Sequence, residues 1–344
     1  MKVKIKKTAK VLIQIVTWNS RFFMENCLDS VFNQTYKDFS VLIIDNASTD
    51  KTIQFIREKY SSSKNLFILQ NVHNLGFASA HNQGFNISQS DFILVMNPDI
   101  VLQPDFLEKL MAMMKTNRRI GSCSGKLLKM KFGNSETKVK GIKTEIIDST
   151  GLLVKKSGQT LDRGEGEEDK GQYDKDNDVF GLSGACVFYR RNALEDIKIP
   201  RNQGYEYFDD DFFAYKEDVD LAWRLNLRNW RNIYIPKAIA YHFRAGAPKS
   251  KRFHQSSLIN FYSFRNHFWM LIKNIHPSTF RRNIRHIFFY LLLKKTYLFF
   301  TQPKVLFQSG SSFWKNFFKI IRKRKYIMEK AKATPEKINK WFRN

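Results

Sequence analysis

Short apolar runs alternate with helix-spaced apolar stripes along the first hundred residues. Residues 11–16, 41–44, 66–69 and 92–96 are compact β-rich runs. Between them, residues 21–33 place Phe22, Leu28, Val31 and Phe32 at near-helical spacing, and residues 52–60 and 78–85 do the same. Asp50 or Ser48 can cap the second of these helices. Strands alternating with helices imply βαβ units and a mainly parallel sheet covered on both faces. Ligands of such sheets bind beyond the carboxyl ends of the strands. Asp45 and the run Asn97-Pro98-Asp99 fall at two of those ends.

The pattern changes twice further on. A helix is expected over residues 107–115; residues 126–178 then become polar and charged, which reads as strands with a mobile excursion around 163–178. Periodic segments resume with a strand over 181–189, a helix over 217–227 and two short strands at 233–235 and 239–241. From residue 259 onward the chain is helical, basic and aromatic. The organisation expected is a region spanning 1–258, with halves of about 10–125 and 126–258, followed by an extension over 259–344.

Composition adds a question of partners. The 344 residues carry a formal charge of +26, with 43% hydrophobic and 15% aromatic content, which excludes a disordered chain. Nucleic acid, an anionic membrane and a phosphate-rich substrate would each suit that charge. The charge is uneven: residues 259–344 hold 19 Lys and Arg against 2 acids, and 13 of the 31 Phe. Cys27, Cys123 and Cys186 are scattered without ligand spacing, which fits a reducing compartment. No apolar run has the length of a secretory signal or a bilayer span.

Several constellations carry candidate chemistry. Asp45 could accept from the N–H edge of a base, or simply cap a helix. The loop from Asn74 through Gly76 to Asn82 and Gly84 suits close backbone approach to a phosphate, or an ordinary turn. Asn97-Pro98-Asp99 offers oxygen donors to Mg²⁺ or Mn²⁺, or a type I turn. Five carboxylates, Asp209, Asp210, Asp211, Glu217 and Asp218, crowd into ten residues, with Asp220 just beyond. Such repulsion needs a cation, a cap or a substrate to offset it, and one cap does not require five acids. His242 opens a basic loop with Arg244, Gly246, Lys249, Lys251 and Arg252 that could clamp a diphosphate, or simply lie solvated.

Taken together, Val16-Thr17-Trp18-Asn19, Asp45 to Asp50, Asn74-Leu75-Gly76-Phe77, Asn82-Gln83-Gly84, Asn97-Pro98-Asp99, Asp148-Ser149-Thr150-Gly151, Gly184 to Arg191 and Phe208 to Asp220 resemble the inverting nucleotide-sugar glycosyltransferases of family 2, and among them the rhamnosyltransferases. The resemblance covers roughly residues 10–255. It implies an α/β GT-A fold: a Rossmann-like, mainly parallel sheet flanked by helices, here with a helical basic and aromatic extension. It implies a nucleotide site of Thr17, Trp18, Asn19, Asp45, Asn74, Gly76, Asn82 and Asn97. Asn97-Pro98-Asp99 stands in place of the family's DxD motif, leaving Asp99, with His242, to hold a divalent cation. Asp218 would be the catalytic base. Asp210, Glu217, Trp223, Arg224 and Arg244 would contact acceptor or diphosphate.

The implied substrates are a nucleotide-diphosphate sugar, most simply of L-rhamnose, and a hydroxyl of a glycan or lipid-linked acceptor; a hexose or N-acetylhexosamine from a UDP-sugar is the alternative. Within the extension, residues 259–275 read as a helix packed on the preceding region, whereas residues 281–300 and 313–325 interleave apolar and basic side chains in the manner of helices lying in a membrane interface, with a solvated helical hairpin or a partner interface as the alternative. The membrane reading places the protein in the cytoplasm, peripheral on the inner face of the cell membrane. A nucleic-acid-binding role is disfavoured: no recognition motif accompanies the charge, and the acidic cluster suits a phosphate groove poorly.

Overall fold

The computed structural model describes residues 9–132, 141–175, 177–202, 204–244 and 257–343. The order begins β1 (Val11–Thr17), α1 (Arg21–Phe32), β2 (Phe39–Asp45), α2 (Thr52–Lys59), β3 (Leu66–Gln70), α3 (Gly76–Ile87), β4 (Phe92–Met96), β5 (Ile100–Leu102), α4 (Phe106–Thr116) and β6 (Ile120–Phe132). It continues with β7 (Gly141–Ser149), β8 (Leu152–Lys155), β9 (Thr160–Asp162), β10 (Asn177–Val179), β11 (Cys186–Arg190), α5 (Arg191–Ile197), β12 (Ile199–Pro200) and β13 (Tyr205–Glu206). The last elements are α6 (Glu217–Leu227), β14 (Arg231–His242), α7 (Ser257–Asn274), α8 (Pro277–Thr301), α9 (Pro303–Glu329), α10 (Pro335–Asn339) and β15 (Phe342–Arg343).

Alternation within β1 explains the layering. Val11, Ile13 and Ile15 pack under Met24 and Leu28 of α1, Ile56 of α2 and Leu110 of α4. Leu12 points the other way, with Leu42 and Ile44 of β2, toward Ala78 and Phe85 of α3 and Leu221 and Leu225 of α6. Both faces of the sheet are therefore buried, as βαβ crossovers require. Strands β3, β2, β1 and β4 are parallel neighbours, and the order turns back at β1, opening a crevice beyond its carboxyl end. The remainder of the sheet is mixed: β11 runs antiparallel to both β4 and β6, while β14 is parallel to β6. The two short strands expected after residue 230 are one strand, β14, with an irregularity between Ile235 and Ile239. Pro236, which has no N–H to give the ladder, accounts for the break.

Within the stretch expected to be mobile, Asp169 and Asp174 are held by Lys126, a buried ammonium 2.7 Å from the first and 2.6 Å from the second. The extension is also tied in. Its Trp269, Ile287, Ile320 and Phe342 share one apolar cluster with Leu152, Phe180, Phe212 and Trp223. β15 pairs in parallel with β8, and the N–H groups of Lys332 and Ala333 donate to the Leu227 carbonyl at the end of α6.

Candidate active site

Four loops meet at the crevice, and each is fastened to the next. Thr17 ends β1 with its hydroxyl buried and without a hydrogen-bond partner among the described residues. Trp18 follows with 57% of its surface exposed, unusual for so large an aromatic. Asn19, at φ 51°, donates its N–H to Ser48 Oγ at 2.9 Å, and its Oδ1 accepts from Thr49 N–H at 2.7 Å. The loop after β2 is thereby fixed to the loop after β1. Asp45 is buried and accepts from the Ser48 N–H and hydroxyl. The N-cap of α2 is Lys51, which makes no side-chain cap bond; Asp50, one residue earlier, accepts from the Thr52 N–H that opens α2 and from the Arg21 N–H that opens α1, at 2.9 Å.

Asn46 donates to the Gly76 carbonyl at 3.1 Å, joining the second loop to the third. Asn74 accepts from the Gly76 N–H at 2.8 Å and sets the turn into α3. Gly76 sits at φ +79°, and an added Cβ would lie 2.5 Å from the Phe213 carbonyl, so only glycine fits here. That same carbonyl accepts from Phe77 N–H at 2.7 Å, linking the third loop to the acidic segment. The Asn82 amide is fully engaged by that segment: it donates to the Phe208 carbonyl and to Asp210, and accepts from Tyr207 and Phe208 N–H. Asn82 thus holds the acidic segment in place of offering its amide to a ligand.

On the other side of the crevice, the Asn97 N–H donates to the Ala185 carbonyl at 2.8 Å. The neighbouring Gly184 N–H donates to Asp218 Oδ2 at 2.9 Å. The Gly184-Ala185 dipeptide therefore spaces the Asn97-Pro98-Asp99 turn from the carboxylate at the start of α6. A Cβ on Gly184 would meet the Asp218 Cβ at 3.1 Å, close enough that the carboxylate would have to give by a few tenths of an ångström.

Asp99 lies 3.2 Å from Nε2 of His242, whose Nδ1 is 2.8 Å from Asp148. Burial works against charge on His242, but Asp99 and Asp148 outweigh it and push its pKa up to about 10. The pair would hold a divalent cation only with the Nε2 proton displaced, since a protonated imidazole has no lone pair to give. The two donors are spaced close to the roughly 3 Å between neighbouring ligands on an ion with bonds of about 2.1 Å. Asp148 would orient the imidazole from behind. Among the described residues no group of three or more His, Cys, Asp or Glu is placed to hold a metal, so further ligands would come from diphosphate oxygens and water.

Arg244, expected to face the diphosphate, faces inward. It meets Asp148 at 2.8 Å, Asp162 at 2.9 Å and Glu165 at 2.7 Å, and its charge is matched within the protein. Gly246, Lys249, Lys251 and Arg252 of the expected basic loop lie outside the described residues.

The acidic segment divides into two parts with different partners. Asp209, Asp211 and Asp220 are met by ammonium groups of the extension. Lys273 of α7 contacts Asp209 and lies 2.8 Å from Asp220. Lys323 of α9 lies 2.5 Å from Glu206, 2.6 Å from Asp209 and 2.9 Å from Asp211, and Lys319 lies 2.6 Å from Asp211. The compensating cations that the crowded acids require are thus supplied by the chain itself. Asp210 pairs with Arg201 at 2.5 Å. Two residues named as acceptor contacts are interior. Arg224 is buried on Asp220 and on the carbonyls of Ile197 and Tyr207. Trp223 is fully buried against Phe180 and Phe342. Both lie on the helix faces that α6 must bury, which corrects their assignment to a ligand.

Glu217 and Asp218 are left at the crevice end of α6. Asp218 is partly exposed and accepts from Gly184 and Val219 N–H. Burial, then the neighbouring Asp218, pushes Glu217 up to about 8, and its Oε2 has no hydrogen-bond partner among the described residues. The loop before them is strained: Phe213, Tyr215 and Lys216 all have positive φ. Asn266 of α7 holds it by donating to the carbonyls of Phe212, Ala214 and Tyr215 at 2.8–2.9 Å. Neither Asn266 nor Lys273 stands out in the sequence, because each lies in an ordinary amphipathic helix. Asp148 was marked only by its Asp-Ser-Thr-Gly motif.

A switch-point crevice flanked by an Asp99 turn and a helix-start carboxylate defines a nucleotide-sugar glycosyltransferase of the GT-A fold. Residues 13–198 match the model of Glycosyl transferase family 2, and the chain belongs to that family, whose members transfer with inversion. The N-acetylglucosaminyl-diphospho-decaprenol L-rhamnosyltransferase of Mycobacterium tuberculosis is 27% identical over 248 residues, 67% of this chain and 75% of that protein. The poly-beta-1,6-N-acetyl-D-glucosamine synthase of Staphylococcus aureus is 22% identical over 240 residues, 70% of this chain and 51% of that protein. A mannosyltransferase from Pyrobaculum calidifontis, solved with GDP-Man and Mn²⁺, superposes with a TM-score of 0.52 at 17% identity, covering 91% of this chain and 76% of that one, and shares the fold.

Proposed function

We propose that the protein transfers L-rhamnose from a nucleoside-diphosphate donor to a hydroxyl of a lipid-linked glycan, with inversion, in cell-surface polysaccharide synthesis. The observation that carries the reading is the fastening of Asp218 to the Asn97-Pro98-Asp99 turn through Gly184-Ala185. It sets a proton acceptor and the leaving-group site across one crevice. The rhamnosyltransferase relative, which aligns over two thirds of the chain, supports the sugar. The synthase relative favours a second donor class, UDP-N-acetylhexosamine.

In this reading Trp18 stacks on the base and Asp45 accepts from its N–H edge. Thr17, Asn19, Asn74, Gly76 and Asn97 shape the nucleotide pocket, directly or through the loops they fix. Asp218 takes the proton of the attacking hydroxyl as the anomeric carbon passes through an oxocarbenium-like state. A Mg²⁺ or Mn²⁺ ion, when bound by Asp99 and His242, would neutralise charge on the departing diphosphate. The donor is tested with dTDP-rhamnose, UDP-glucose, UDP-galactose and UDP-N-acetylglucosamine, each scored by thermal stabilisation and hydrolysis. Stabilisation by dTDP-rhamnose above the UDP-sugars is expected; preference for UDP-N-acetylglucosamine would move the assignment to the second class.

The extension brings this crevice to a membrane. Phe288 and Phe289 on α8 and Trp314 and Phe318 on α9 are 61–82% exposed, beside Arg281, Arg282, Arg285, Lys315 and Arg322. Among the described residues no helix is long and apolar enough to cross a bilayer. Exposed aromatics interspersed with cations suit the interface of an anionic leaflet, and we place the protein on the cytoplasmic face. Changing those four aromatics to Ser is expected to weaken binding to phosphatidylglycerol vesicles by about a hundredfold, while the melting temperature stays put. Sedimentation equal to that of the wild type would remove the membrane role. Deleting the helices is a poorer test, since Lys319 and Lys323 would leave with them.

A further inference from the structure

A cavity of about 280 Å³ lies where the catalytic unit meets the extension, outside the crevice. Gln159 and Lys216 line it from one side, Ser263 and His267 of α7 and Tyr290 and Lys294 of α8 from the other. Its chemistry is cationic and rich in donors. Neither Lys216 nor Lys294 forms an ion pair with a described carboxylate; Lys216 donates to the Thr160 hydroxyl at 2.7 Å. His267 is buried, and its Nε2 has no hydrogen-bond partner among the described residues. The acids near Lys216 are Asp162, Glu217 and Asp218, all on the crevice side. Among the described residues no acid bears on Lys294 or His267; burial draws both below their ordinary pKa range, with Lys216 and Lys294 adding to the effect on His267, which falls to about 3. Two amines, an imidazole nitrogen and two hydroxyls converging on one cavity suit a group with several anionic oxygens.

The cavity also has a position. Lys216 is two residues before Asp218. Tyr290 and Lys294 share α8 with the exposed Phe288, Phe289, Leu292 and Leu293. An anionic head seated in the cavity would leave an attached apolar chain to run around α8 onto Phe289 and Leu293, about 100° from Tyr290 and Lys294 on the helix.

We infer that this cavity is a second phosphoryl site, distinct from the donor crevice, which receives the diphosphate of the lipid-linked acceptor. The inference rests on the lipid-linked acceptor proposed above. The same chemistry is offered by a phospholipid headgroup, and the test separates the two sources.

Geranyl diphosphate is titrated calorimetrically into the full-length protein with excess UDP and dTDP filling the donor site. Lys294→Ala is expected to lower its affinity at least about tenfold, the effect of losing one charge-assisted hydrogen bond, and Lys216→Ala to lower it similarly. Geraniol should not compete, and nucleotide affinity should be unchanged in Lys294→Ala. Lys294→Gln, with an unchanged melting temperature, guards against a folding defect. Equal affinity in the wild type and both Lys294 variants overturns the site. Unchanged affinity for geranyl diphosphate with lost sedimentation on phosphatidylglycerol vesicles assigns the cavity to a phospholipid and overturns the acceptor. If no nucleotide sugar is turned over while Lys294→Ala still loses geranyl diphosphate, the transfer reading fails and the phosphoryl site stands.

Discussion

Asp218→Asn is expected to lower the turnover number by about 10²–10⁴-fold while nucleoside-diphosphate affinity stays near that of the wild type. The carboxylate contributes in the transition state, when the acceptor hydroxyl loses its proton, and has no part in holding the nucleotide. Loss confined to turnover is therefore the signature of a base, and a parallel loss of donor affinity would indicate a binding role. The local geometry adds a condition. Both carboxylate oxygens accept backbone N–H bonds, from Gly184 and Val219. The amide of Asn can accept only one of these, and its NH₂ would face the other donor, so a modest stability loss of about 1–3 kcal/mol should accompany the substitution. Asp218→Glu separates the effects: it restores a base but misplaces it, and should recover part of the turnover. Single-turnover kinetics with saturating donor make the measurement. Turnover retained in Asp218→Asn would transfer the role elsewhere, with Glu217 the nearest carboxylate in the chain.

Much of this site could be read from the chain because its pieces sit where strands end. Four apolar runs placed Asp45 and Asp99 at the carboxyl ends of β2 and β4, and an open sheet binds its ligands at such ends. The family motifs then supplied roles that spacing alone left open between cap, turn and ligand. What escaped was pairing across long sequence distances. Arg244 resembled a diphosphate clamp because Asp148, Asp162 and Glu165 lie 79 to 96 residues away, and nothing local connects them. Trp223 and Arg224 lay beside the base in sequence, but a helix turns successive residues by about 100°, and α6 buries both of their directions. The extension is basic and aromatic in sequence. The chain did not disclose that Lys273, Lys319 and Lys323 point inward at the acidic segment, because a lysine facing solvent and one facing a carboxylate look alike in a helical pattern.

That inward-facing set gives the largest expected effect on stability. Lys273→Met should destabilise the protein by about 3–5 kcal/mol, the usual loss when one partner of a buried ion pair is removed. Lys273 is 99% buried and bridges Asp209 and Asp220, themselves buried. Asp209 would retain Lys323, and Asp220 would retain Arg224 and Asn274, which keeps the loss within that range. The pH dependence follows from the same charges. Burial alone would raise both carboxyls, but Lys273, with Lys323 at Asp209 and Arg224 at Asp220, holds them below the ordinary carboxylate range. A carboxyl depressed in the folded state contributes stability that is present above its unfolded pKa of about 3.9 and lost as pH falls below it. Wild-type stability should therefore fall on acidification below about pH 4, and Lys273→Met should fall less steeply from a lower plateau. Denaturant melts between pH 3 and 7 test this. Asp209 also accepts from Asp211 N–H at 3.0 Å, at the start of the turn leading into the strained Phe213–Lys216 loop. The double variant Lys273→Met, Asp209→Asn should recover part of the loss, since the uncompensated charge is then removed with its partner. Additive losses would mean that Lys273 acts by packing, and the acidic segment would then be held mainly through Lys323 and Asn266.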